Sequence, residues 1–255
     1  MSSFPQAEPE TTPAARGWNI LRAPGTYLLV GINLAVFLWM ITHGVDIKDP
    51  SVPSLLRYGA TNPDLILGGH QWWRLLTATF VHVGLIHIAT NMWCLWNLGL
   101  LGEPLLGPYG LSAVYISTGI AGNLLSLFWN VYHRNNSAVG AGASGAVFGI
   151  AGILIVLLSN KKLPIPEFEL KRLRRSVIQF SVLNLVIGLA TEILPVVRID
   201  NWAHLGGFLS GLAIGVPLVP RMTSGRARYL QRQKITFTAA AFVLVLIGYY
   251  IANLR

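Results

Sequence analysis

The chain has 255 residues, 53% of them hydrophobic and only 11% charged, with a net charge of +9 and a mean hydropathy of +0.55. A soluble domain carries about a quarter charged residues, so the composition excludes an ordinary water-soluble protein and points to a polytopic membrane protein. The positive charge is no sign of nucleic-acid binding, because the basic residues lie in short links between apolar runs and form no patch with interleaved aromatics.

In chain order, residues 1–25 combine prolines and acids with no early apolar core, which predicts a disordered cytoplasmic tail and no signal peptide. Seven apolar runs follow, near 26–43, 84–101, 109–130, 142–159, 176–194, 203–219 and 235–253, each near the roughly 20 residues that cross a bilayer. The runs at 84–101 and 203–219 are short and contain glycine. Between the first two runs lies a long loop, 44–83, rich in proline, glycine and aromatics. A loop of that length is functional or flexible, and Leu65, Ile66, Trp72, Trp73, Leu75 and Leu76 suit it to the membrane interface. The lone cysteine, Cys94, excludes an intramolecular disulfide and reads as a small buried hydrophobe.

Charge orients the chain. Arg16 and Arg22 precede the first run. Lys161, Lys162, Lys171, Arg172, Arg174 and Arg175 link the fourth and fifth, and Arg221, Arg226, Arg228, Arg232 and Lys234 link the sixth and seventh. With 13 of 19 basic residues on one side, the positive-inside bias puts the N-terminus in the cytoplasm and the C-terminus outside. A serpentine path then brings the starts of the second, fourth and sixth runs to the external face. The polar, chemically capable residues cluster at those starts: His82, His87 and Asn91, then Ser144, then His204.

Ser144 stands about one turn into its expected span in "VGAGASGAVFGIAG". Such a serine often does no more than bond its own i−4 carbonyl. Its neighbours Gly140, Gly142 and Gly145 permit unusual backbone angles and close approach. Gly145 and Gly149 form a small-xxx-small pair for helix packing. His204 is an ionisable residue within a span, a functional candidate by default. Gly207, Gly211 and Gly215 follow it at every fourth position. Close packing of the two glycine stripes would carry His204 to Ser144, and a serine nucleophile needs such a base. His87 and Asn91, at i and i+4, share a helix face, and with the Ser144 amide they suit an oxyanion hole. Interhelical hydrogen bonding is their other reading. A metal site is disfavoured, because there is no HExxH and no close carboxylate. No acid offers itself as a third member, so a Ser–His dyad is expected, with Asp200 as a solvated loop charge. His43, His70 and His133 read as surface histidines.

These residues resemble the rhomboid family of intramembrane serine proteases. Its GxSG motif corresponds to Gly142–Gly145, with Ser144 in the nucleophile's position, and "AHLGGFLSG" puts His204 in the base's position. The HxxxxHxxxN pattern matches His82, His87 and Asn91, the last two as oxyanion donors, with His82 as a support residue. Trp73–Arg74 matches a signature of the first loop, and Glu103 falls where the family has a loop-anchoring glutamate. Phe148 departs from the tyrosine often found four residues after the nucleophile, keeping the ring that stacks on the histidine but not its hydroxyl.

The resemblance implies an all-α six-helix core, 26–220, with a basic link and seventh transmembrane helix at 221–255. It implies hydrolysis of peptide bonds in or beside the transmembrane segments of other membrane proteins, at small residues, with no metal or cofactor. Substrate would approach beside the fifth span or under the first loop. The partners are then transmembrane substrates and the lipid bilayer. The polybasic links suggest a bacterial inner membrane with the site opening outward, although an organellar membrane would obey similar rules. A non-catalytic binder or chaperone of the same fold is the alternative, but it should have lost Ser144 or His204. A transporter would show acids deep in several spans, or inverted repeats.

Overall fold

The computed structural model describes residues 23–163, 165–193, 199–219 and 225–254, without side chains for 188–193; most of the expected tail, residues 1–22, lies outside the described residues. The first helix, α1 (Pro24–Thr42), starts with a proline at the position where a missing N–H costs nothing. The next two N–H groups, of Gly25 and Thr26, donate to the Glu103 carboxylate at 2.8 and 2.7 Å, and the Thr26 hydroxyl donates at 2.7 Å. Glu103 therefore anchors the start of α1. That corrects the loop-anchoring role expected for it, and the physical reason is plain: a carboxylate is the natural partner of unsatisfied N–H groups at a helix start.

The long first loop is ordered. It contains α2 (Val52–Arg57), a π-helical turn at Asp64–Gly68 and α3 (Arg74–Thr77). Arg74 is only 6% exposed and donates to the carbonyls of Leu56 (2.7 Å) and Ala60 (2.9 Å) and to Gln71 Oε1 (2.7 Å). Its guanidinium lies 4.6 Å from the ring centre of the exposed Trp73. One buried cation thus ties the segment of α3 to the backbone at the end of α2, which explains the Trp-Arg pair without any direct part in chemistry.

The next helix, α4 (Leu85–Tyr132), joins the second and third expected runs. They are two limbs that meet at Gly107, whose φ of 74° breaks the helix between Pro104 and Pro108. Neither proline can donate to a preceding carbonyl, and the glycine takes up the left-handed angle without penalty. Asn123 on the second limb donates to the Leu75 carbonyl at 2.8 Å, tying the first loop down.

Helix α5 (Ser144–Leu157) forms the centre of the bundle, buried throughout from Gly145 to Leu154. It packs between α4 and α7 (Asn201–Gly215). The glycine stripes of α5 and α7 meet backbone to backbone: a Cβ on Gly207 would collide with the Gly145 carbonyl, and one on Gly211 with the Gly149 carbonyl. Helix α6 (Glu167–Ile193) turns Ile178, Val182, Leu183, Val186 and Ile187 outward. Helix α8 (Arg226–Ala252) lies against α4. Its buried Gln233 donates to the Leu106 carbonyl at 2.8 Å, beside the break. At its other end Ile251 is buried with Ile66, Leu75, Leu124 and Leu127 under the first loop.

Among the described residues, α1, α4 and α8 are long and apolar enough to cross a membrane, and α5 is a shorter apolar helix. The chain is an all-helical polytopic membrane bundle, with a single isolated bridge, Thr61 to Gly140, among the described residues outside helices.

Candidate active site

Ser144 is the first residue of α5, with Ala143 as its N-cap. The expectation of one turn inside the span is thus corrected: Gly142 has a φ of 134°, which keeps the chain non-helical up to Ala143. At the start of a helix the backbone N–H has no carbonyl within the helix to bond, and Ser144 is half-buried rather than sealed in. The loop before it is pinned on both sides. The Gly142 N–H donates to the Ala78 carbonyl at 2.9 Å, and Gly140 and Thr61 exchange backbone bonds at 2.8 and 3.2 Å.

His82 and His87 hold the same loop from α4's side. The Ala143 N–H donates to His82 Nε2 at 3.4 Å, and His82 Nδ1 lies 3.2 Å from the Phe80 carbonyl, so one tautomer, protonated at Nδ1, satisfies both bonds. His82 is fully buried and acts as a strut. For His87 the tautomer is the reverse. Its Nδ1 accepts the Val83 N–H at 3.2 Å, leaving Nε2 to carry the proton as a donor. That Nε2 is 2.9 Å from where a Cβ on Gly142 would stand, and Ser144 Oγ is 3.8 Å from the same point. Gly142 is therefore required twice, by its φ and by the space that the His87 ring fills. Asn91 is buried, and its Nδ2 donates to the His87 carbonyl at 3.0 Å, leaving its second N–H available.

The third contribution comes from α7. His204 is buried, 6% exposed, and its ring stacks on Phe148 with centroids 4.4 Å apart and planes 18° apart. Phe148 is one turn beyond Ser144 on α5, so the stack registers the imidazole against the serine's own helix. Gly145 reinforces that register, since a Cβ there would stand 3.2 Å from the carbonyl of Ala203, His204's neighbour. His204 Nδ1 is buried and has no hydrogen-bond partner among the described residues.

Asp200 is not the solvated charge expected from its place in a loop. It is the N-cap of α7, partly buried, accepting the Ala203 N–H at 2.9 Å and the Ser126 hydroxyl at 2.5 Å. Burial raises its pKa, against the lowering effect of those bonds. It lines a hollow of about 610 Å³ together with Thr61, Asn130, Gly140 and Trp202.

Two further supports carried a weak sequence signal as polar residues within apolar runs. The buried Tyr115 hydroxyl donates to the Thr79 carbonyl at 2.8 Å and accepts from Asn33 Nδ2 at 2.9 Å, steadying the segment that leads to His82. His43, His70 and His133 are exposed, and Cys94 is half-buried within the apolar core.

The Rhomboid domain model matches residues 69–221, well over half of the chain and inclusive of every element just described from α3 to α7. This chain belongs to the rhomboid family. It is 33% identical over 197 residues to Rhomboid protease GluP of Bacillus subtilis, covering 75% of this chain and 35% of that protein. It is 32% identical to RHOMBOID-like protein 1 of Arabidopsis thaliana, covering 69% of this chain and 42% of that protein. With Rhomboid protease AarA of Providencia stuartii the identity is 30%, over 76% of this chain and 72% of that protein. The chain thus spans well under half the length of the first two relatives.

Proposed function

We propose that the chain is an intramembrane serine endopeptidase that works by a Ser144–His204 dyad. Ser144 Oγ attacks the scissile carbonyl while His204 takes its proton; His204 then returns the proton to the leaving amine, and water hydrolyses the acyl-enzyme. The His87 Nε2–H, the free Asn91 N–H and the Ser144 amide donate to the oxyanion. The observation that carries this reading is the interlock of α5 and α7, with the His204 ring stacked on Phe148 one turn from Ser144. The unpartnered His204 Nδ1 favours a dyad over a triad with a carboxylate.

The reading extends to topology. Six spans within residues 26–220 form the protease core, and residues 221–255 add a basic link and a seventh. The N-terminus is cytoplasmic, the site opens to the external face, and the membrane is a bacterial inner membrane. Substrates are transmembrane proteins whose helix unwinds locally, because a helical peptide bond is already internally paired. The outward apolar face of α6, with Phe180 6.4 Å from Phe148, suits their approach. The test is cleavage of a single-span reporter by purified protein in liposomes, in the presence of EDTA. Cleavage abolished by Ser144→Ala and unaffected by the chelator is the expected outcome. Folded wild-type protein that binds the reporter without cleaving it would favour the non-catalytic binder.

A further inference from the structure

The first turn of α7 carries His204, and it has a support that the proposed reaction does not itself use. Asp200 Oδ1 accepts the Ala203 N–H at 2.9 Å, and the Asp200 backbone carbonyl accepts the His204 N–H at 3.1 Å. Asp200 Oδ2 accepts the Ser126 hydroxyl at 2.5 Å, from the second limb of α4. Ser126 in turn accepts from Asn130 Nδ2 at 3.3 Å. Ala203, between the cap and the histidine, is wedged between two glycine backbones. A Cβ on Gly122 of α4 would stand 2.5 Å from the Ala203 carbonyl oxygen, and one on Gly145 of α5 would stand 3.2 Å from it. The glycines limit how close the turn can come, and the carboxylate limits how far it can recede.

A cap alone needs one acceptor, and a serine or threonine supplies it without burying a charge. An aspartate offers two oxygens, and here each is bonded to a different helix. We propose that Asp200 is a positioning residue: its link to Ser126 fixes the first turn of α7 against α4 and so sets the place from which His204 meets Ser144. This rests on the serine-peptidase reading above. The Trp129–Trp202 stack, with centroids 3.7 Å apart, also joins α4 to α7, and the Trp202 backbone N–H donates to the Asp200 carboxylate, but the stack makes no contact with Ser126 through a hydrogen bond.

The test is the second-order rate of fluorophosphonate labelling per folded molecule, with thermal unfolding measured in parallel. It compares wild type, Ser144→Ala, Asp200→Ala, Ser126→Ala, Ser126→Thr and the Ser126→Ala/Asp200→Ala pair. Wild type should label and Ser144→Ala should not. Asp200→Ala and Ser126→Ala should label about tenfold to a hundredfold more slowly, the scale of a small misplacement of a reacting group. Ser126→Thr, which keeps the hydroxyl, should restore the rate. The double variant should be no slower than Asp200→Ala, because the two residues act through one bond. With a peptide substrate the loss should fall on kcat and leave KM near its wild-type value. A wild-type rate per folded molecule in either alanine variant, with or without a lower unfolding temperature, would overturn the proposal. If Asp200→Ala does not fold, the two Ser126 variants decide the matter alone. Absence of labelling in wild type would instead bring down the peptidase reading, and the positioning role with it.

Discussion

His87 shows how much a single hydrogen bond decides at the scale of the residue. The Val83 N–H claims its Nδ1, so the ring presents a proton at Nε2 toward the point that Gly142 leaves open. A donor aimed at developing negative charge in a dry site contributes about 2.7–4 kcal/mol to the transition state. His87→Ala should therefore lower kcat about a hundredfold to a thousandfold with little change in KM, measured on the liposome reporter; an equal loss in substrate binding would refute the oxyanion role. Ser144, His204, His87 and Asn91 stood out in the sequence as polar residues gathered at the starts of apolar runs. The partners of Asp200 and Glu103 did not, since spacing says nothing about what an acid touches: both accept N–H groups at helix starts.

At the scale of the element, the glycines of α7 divide the tolerable from the intolerable. Gly207 and Gly211 face the carbonyls of Gly145 and Gly149 with no space for a methyl group, whereas a Cβ on Gly31 of α1 would meet nothing within 4 Å. Gly207→Ala should destabilise the bundle by about 1–3 kcal/mol or more, as overpacking does, and should lower activity further by shifting α7, and His204 with it, relative to α5. Gly31→Ala should be neutral or stabilise by about 0.5–1 kcal/mol through helix propensity. Thermal unfolding in detergent distinguishes the two, and a neutral Gly207→Ala would contradict the interlock. The stripes were visible from periodicity alone. The helices within the 44–83 loop were not, because they are short and depend on Arg74, Asn123 and Tyr115, whose partners are far apart in sequence. The break at Gly107 also follows local sequence, a glycine between two prolines, but the helix persists through Leu106, several residues beyond the end of the apolar run at 101.

For the molecule as a whole, α8 spans the bundle, fixed at one end by Gln233 on the Leu106 carbonyl and at the other by Ile251 beneath the first loop. Leaving the Leu106 carbonyl unpaired in a buried site costs about 1–3 kcal/mol. Gln233→Leu should lower the unfolding temperature and loosen α8, seen as faster proteolysis in its first turns from Arg226, while cleavage there at the wild-type rate would refute the anchoring. Composition made the membrane class legible, yet nothing in the sequence of α8 announced this docking, because the two glutamines in its basic start, Gln231 and Gln233, both read as solvent-facing. The most direct measurement is the site of covalent labelling by a fluorophosphonate, located by mass spectrometry on the intact protein and its fragments. A Ser144–His204 dyad requires the label on Ser144 and its loss in His204→Ala. A label on another residue, or undiminished labelling in folded His204→Ala, would contradict it.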